Sequence, residues 1–168
     1  MDLSGAYWAV VVAALPKAKV VFDRCHIIKL MNEKLDAWRR ALVREAAGPL
    51  KLVSEGTRYL PLMRGNNLKE EQWPKLEKAL ELNAPLSMAW HLKEELTLLW
   101  EQPSYQAMEQ FLRQWCARAL ATGIKQLVPM AKTLVTHWTG LLNWWAHPIN
   151  SGKMEGTNNK IKTLTRQA

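Results

Sequence analysis

The segment LPKAKVVFDRCHIIKLMNEKLDAWRR, Leu15 to Arg40, changes its period part-way along, and that change decides how the chain folds. Its first part, Ala18-Lys19-Val20-Val21-Phe22, is a β-branched run of strand length that follows a turn signal at Pro16. From Ile27 the apolar residues recur at helical spacing. Ile27, Leu30, Met31, Leu35, Trp38 and Leu42 share one face, with Lys34, Arg39 and Arg40 mostly off it, until Gly48-Pro49 stops the pattern. The junction between strand and helix delivers Asp23, Arg24 and His26. Upstream, residues 5–14 read as a short apolar helix closed by Pro16, so the expected order is helix, strand, helix.

Beyond Gly48-Pro49 the sequence predicts helices only. Asn67 with Glu70 three residues later has the form of a capping box opening a helix to about Leu82. Asn83 with Pro85 separates it from a second helix running to Trp100. Pro103-Ser104 starts a third, Tyr105 to Ala121, ended by Gly123. A fourth runs from Leu127 to Trp145, with Pro129 tolerated only in its first turn. Pro148 to Gly152 forms a loop, and a last basic helix follows from Met154 to Arg166. The fold class expected is mainly α with a small β part.

Composition bounds the function. With 168 residues, 19.3 kDa and 48% apolar residues, the chain has room for one domain with a core. Gly and Pro, eight each, exclude collagen and disorder. The net charge of +8 and pI near 9.7 favour an anionic partner such as nucleic acid. That charge is uneven. Residues 1–54 carry +4, residues 55–109 carry −3, and residues 110–168 carry +7 with Glu155 as their one acid. The basic ends are expected to converge on the partner, with the middle a separately solvated helical layer. Cys25 and Cys116 make neither a disulfide framework nor a four-ligand zinc site; both read as buried thiols in a reducing, cytoplasmic setting. The apolar stretch Tyr7–Leu15 follows an acidic start, unlike a secretory leader, and no run has the roughly 20 apolar residues of a membrane span. Most of the nine Trp fall in helical patterns and read as core.

Candidate chemistry sits at the two ends. Asp2 precedes the first helix, at a position where a carboxylate could hold a divalent metal, although by itself it reads as a solvated terminal residue. Glu155 opens the last helix, and steps of four, three and four place Asn159, Lys162 and Arg166 on its face, with Ile161 and Leu164 opposite. A carboxylate at a helix N-terminus also has a plain electrostatic explanation. The pair Asn158-Asn159, poor helix formers in the first turns, favours a binding role. Asp23 and His26 have the spacing of metal ligands, but an N-cap and a packed histidine explain them more simply. His91, His137 and His147 have no ligand-type neighbours in sequence.

The opening MDLSGAY, the LPKAKVVFDRCHIIKLMNEKLDAWRR segment, and the closing KTLVTHWTGLLNW with SGKMEGTNNKIKTLTRQA resemble the DDE-type transposases of bacterial insertion sequences. The group is the one whose full-length members begin with a zinc-binding segment and a helix-turn-helix. The resemblance spans essentially all 168 residues, and NNLKEEQW and LSMAWHLKEEL share in it. It implies an RNase H-like α/β fold, incomplete here and interrupted by a large all-α insertion. Residues 1–47 would be a partial core, 48–146 the insertion, and 147–168 the C-terminal helix with the catalytic glutamate. Asp2 matches the family's second catalytic aspartate and Glu155 its catalytic glutamate; both would be ligands of Mg²⁺ or Mn²⁺. Asn158, Asn159, Lys160, Lys162 and Arg166 would lie on DNA. Asp23 and His26 match the family's Asp-x-x-His and would support the site; Cys25 stands where Phe is usual.

The chemistry implied is metal-assisted attack of water or a DNA 3′-hydroxyl on a phosphodiester, in cleavage and strand transfer at insertion-sequence ends. The family reaches its first catalytic aspartate upstream of the segment that opens this chain, and a Tyr-Gly-Phe usually follows where the match stops at Ala168. The expectation is a fragment of a transposase that supplies two of three carboxylates and is inactive alone. Its partners would be DNA and a second copy or the full-length transposase, with no membrane. The alternative is a non-catalytic basic remnant that binds DNA or another transposase chain.

Overall fold

A computed structural model describes residues 5–45, 57, 59–148, 160 and 165. Seven α-helices are complete within them: α1 (Gly5–Ala14), α2 (Arg24–Glu45), α3 (Trp73–Glu81), α4 (Ala84–Leu96), α5 (Tyr105–Ala121), α6 (Leu127–Thr136) and α7 (Trp138–Ala146). Short 3₁₀ turns at Leu60–Leu62, Gly65–Asn67, Glu70–Gln72 and Thr97–Glu101 connect them.

The helix starts follow local chemistry. Asn83 caps α4, its Oδ1 accepting from the Leu86 N–H at 2.8 Å, and Pro85 sits in the first turn where its missing N–H costs nothing. Ser104 caps α5 through the Ala107 N–H at 3.1 Å. That helix ends where Gly123 takes the left-handed backbone, φ +65°, which a side chain would oppose. Pro129 lies in the first turn of α6, as the sequence requires.

Four expectations about local structure need correction. First, residues 18–22 do not form a strand; no strand occurs among the described residues. A strand needs a second extended segment to satisfy its backbone, and here that role falls to a helix. The Phe22 N–H donates to the Gly140 carbonyl at 3.1 Å, and Asn143 Nδ2 donates to the Val20 carbonyl at 2.9 Å. Second, the helix expected from 127 to 145 is broken at His137, whose backbone leaves helical values. Thr133 and Thr136 donate their hydroxyls to carbonyls four residues back, at 2.9 and 3.0 Å, a pattern that bends helices. Third, Asn67 caps nothing. It lies in a 3₁₀ turn, and the Gln72 Oε1 accepts from the Lys69 N–H at 2.9 Å just ahead of α3. Fourth, Cys25 is exposed, because helical spacing turns it away from the Ile27 face.

The core is shared. Phe22 and the α2 residues Ile27, Met31 and Leu35 are buried in the same cluster as Leu92, Leu96, Leu112, Trp115, Leu134 and Leu141. α2 packs on α4 and α6, and α5 packs on both α6 and α7. The middle of the chain is therefore not a separately solvated layer: it provides the surface on which α2 is buried. A smaller cluster of Leu60, Leu76 and Trp90 closes the other side of α4. Trp115 is fully buried and donates its indole N–H to the Leu92 carbonyl at 2.8 Å, which ties α5 to α4. At Gly140 a Cβ would stand 2.4 Å from the Phe22 ring, so glycine lets the 18–22 segment close on α7.

Candidate functional site

The strand-to-helix junction of the sequence is a helix cap in the structure. Asp23 is buried, and its Oδ1 accepts from the Cys25 N–H at 2.8 Å while its carbonyl accepts from the N–H groups of His26 and Ile27 at 3.2 and 3.3 Å. Such bonds satisfy the orphan donors at the start of α2 and commit a carboxylate oxygen to the backbone. His26 follows in the first turn, partly buried. Among the described residues no group of three or more His, Cys, Asp or Glu side chains could hold a metal ion. The Asp23–His26 junction therefore supports α2 and, among these residues, does not complete a metal site.

Lys160 is exposed and helical, as is Thr165. Asp2, Glu155, Asn158, Asn159, Lys162 and Arg166 lie outside the described residues.

One feature escaped sequence reasoning. A cleft of about 640 Å³ runs between the outer face of α2 and the wall made by the turns at Leu60–Leu62 and Thr97–Glu101. On α2 the lining recurs at helical steps through Arg24, Ile28 and Asn32, and through Lys29, Glu33, Asp36 and Arg40. The facing wall brings Leu62, Arg64, Thr97, Trp100 and Glu101. Asp36 is occupied, with Arg39 at 2.8 Å and Arg40 at 3.1 Å. Among the described residues Arg64 donates to the Thr97 hydroxyl, at 3.3 Å. Two side-chain atoms in the lining residues, Asn32 Oδ1 and Trp100 Nε1, are shut off from water without a hydrogen-bond partner, each a cost of about 1–3 kcal/mol. The helical half of this lining is visible in the sequence as a charged stripe; its far wall is not, because it comes from Leu62 to Glu101, distant in the chain from α2.

The 63–65 turn that carries Arg64 is anchored from beneath. The buried Lys93 ammonium donates to the Met63 carbonyl and pairs with Glu94 at 2.6 Å, and Glu94 Oε2 accepts from the Gly65 N–H at 2.9 Å. Burial lowers the Lys93 pKa, with Glu94 opposing that shift. Burial also pushes the Cys116 thiol up to about 11 and lowers His137, whose ring meets Phe22 edge-on at 4.6 Å.

Residues 1–168, the whole chain, match the profile of the DDE transposase family of the ISL3 type, described as Transposase. This chain belongs to that transposase family. A curated relative, the transposase for insertion sequence element IS1001 of Bordetella parapertussis, is 31% identical over 173 aligned residues. The match covers all of this chain and 42% of the relative, so the transposase chain spans well under half of that protein's length. No solved structure matches it. Among the described residues, no helix is long and apolar enough to cross a membrane.

Proposed function

We propose that this chain is part of the catalytic region of an insertion-sequence transposase, and that it binds DNA at the element's ends. The whole-length family match carries this reading. Residues 1–47 then belong to a partial RNase H-like core, 48–146 to the helical insertion, and 147–168 to the helix that brings Glu155 back to Asp2. Those two carboxylates would hold Mg²⁺ or Mn²⁺, which when bound supplies Lewis-acid stabilisation to the phosphate under attack. Asn158, Asn159, Lys160, Lys162 and Arg166 hold the DNA backbone in place beside them, and the Asp23 cap with His26 fixes the start of α2. A second copy, or a longer transposase chain, is the protein partner.

A polypeptide of these 168 residues supplies two of the three carboxylates that the resemblance calls for, and is expected to bind without cutting. Binding of an insertion-end duplex should weaken steeply with salt, by a log–log slope of about −3 for contacts from Lys160, Lys162 and Arg166. A flat response between low and moderate salt would sink the phosphate contacts. Mg²⁺-dependent nicking by this polypeptide, lost on Glu155→Ala, would overturn the two-of-three reading.

A further inference from the structure

We propose that the cleft between α2 and the Thr97–Glu101 turn receives one nucleotide of an unpaired DNA strand, its phosphate on Arg24, Lys29 and Arg64. The inference rests on the reading of this chain as a DNA-binding transposase part, and it names a contact far in sequence from the Glu155 helix.

Charge at the cleft points to a ligand with two unlike ends. Arg24, Lys29 and Arg64 form no ion pair among the described residues, although carboxylates are near. Asp36 is already spent on Arg39 and Arg40. That leaves three cations facing solvent, and they attract an anion. Glu33 and Glu101 sit on opposite walls and form no ion pair among the described residues either, so a bare phosphate would use only half of the lining. A nucleotide carries both an anionic phosphate and a base with exocyclic N–H donors, which carboxylates accept. A metal ion does not fit the same residues, since no cluster of three ligand-type side chains is present there.

The lining also has unmet hydrogen bonds of both kinds. Asn32 Oδ1 is an acceptor and Trp100 Nε1 a donor, neither paired among the described residues; both are shut off from water, so a base meets them only when these side chains turn into the cleft, and Trp100 is 7% exposed. Ile28, Leu62 and the Trp100 ring supply apolar surface between them. The volume, about 640 Å³, lies in the range of small-ligand pockets, roughly 300–1,000 Å³, which suits one nucleotide. A base reaches such a site only after leaving its stack, which costs least in a single strand.

The test uses the 168-residue chain and fluorescence anisotropy, with a roughly 12-nucleotide single strand and a blunt duplex of the same sequence. Lys29 and Arg64 are exposed, so the fold tolerates Lys29→Ala with Arg64→Ala, and a matching melting midpoint checks it. The double substitution should weaken single-strand binding about tenfold or more, and duplex binding less than about threefold. Asn32→Leu should cost the single strand about fivefold and leave the salt slope unchanged. Equal losses on both DNAs, or none on the single strand, would overturn the cleft site while DNA binding itself stands. A free deoxynucleoside monophosphate binding as tightly as the strand would overturn the strand as its source. An unsubstituted chain that binds neither DNA removes the functional reading and this site with it.

Discussion

Between Trp73 and Ala146 most of the large apolar residues are buried or half-buried against one another, with Leu82, Met88 and Val135 among the exceptions, whereas α1 leaves Val10 64% and Val12 47% exposed and Leu15 just beyond it 58% exposed. α1 has no charged residue and no apolar side distinct from a polar one. Its attachment runs through Trp8, stacked on Phe22 at 5.7 Å, and Phe22 in turn lies against Gly140 and His137. Both regions are apolar, and only one is packed. Hydrophobicity by itself therefore does not place a helix in the core; a facing surface with room for its side chains does.

The largest expected effect lies in the packed region. Trp115→Ala removes a fully buried ring and the bond to the Leu92 carbonyl, and should cost about 3–5 kcal/mol of stability. Urea unfolding would measure it, and a loss below about 1 kcal/mol would mean that α5 is not the centre of the core. Next comes the seam between the two regions. Gly140→Ala sets a Cβ against the Phe22 ring and should cost about 1–3 kcal/mol, although alanine is the better helix former. Combining it with Phe22→Leu should recover part of that loss if the ring contact is the cause.

The smallest effect is one of pH. Burial holds His137 below its ordinary value of 6.5, so the neutral ring is favoured in the folded protein. Its contribution is fully present above 6.5 and is lost as pH falls through the lowered value. The melting temperature should therefore drop on going from neutral to mildly acidic pH, and His137→Gln should flatten that drop. An unchanged pH profile in the variant would remove His137 from the account.

Much of this was legible. The limits of α1 and α5 follow from Pro16, Ser104 and Gly123, whose effects are local. The buried stripe Ile27, Met31, Leu35 was readable from spacing alone. Arg39, buried at 6% exposure, was not: its place depends on the Asp36 carboxylate that meets it. The residues at 18–22 have strand composition, yet Gly140 and Asn143, more than a hundred positions later, decide what their backbone bonds to. The break at His137 likewise depends on threonine hydroxyls turning back onto the helix. At the candidate site, the plain reading of Asp23 as a cap was available from its position before α2. The cleft was available only in half, since Arg64 and Trp100 meet α2 through the tertiary fold.

The two thiols differ enough to be useful at the bench. Cys116 is buried with its pKa raised to about 11, while Cys25 is exposed among the residues that line the cleft. A thiolate is the reactive form, so a maleimide dye added to the native protein near neutral pH should attach at Cys25 and spare Cys116. The unsubstituted sequence thus provides its own reporter position, one helical turn from Lys29, for watching a strand arrive.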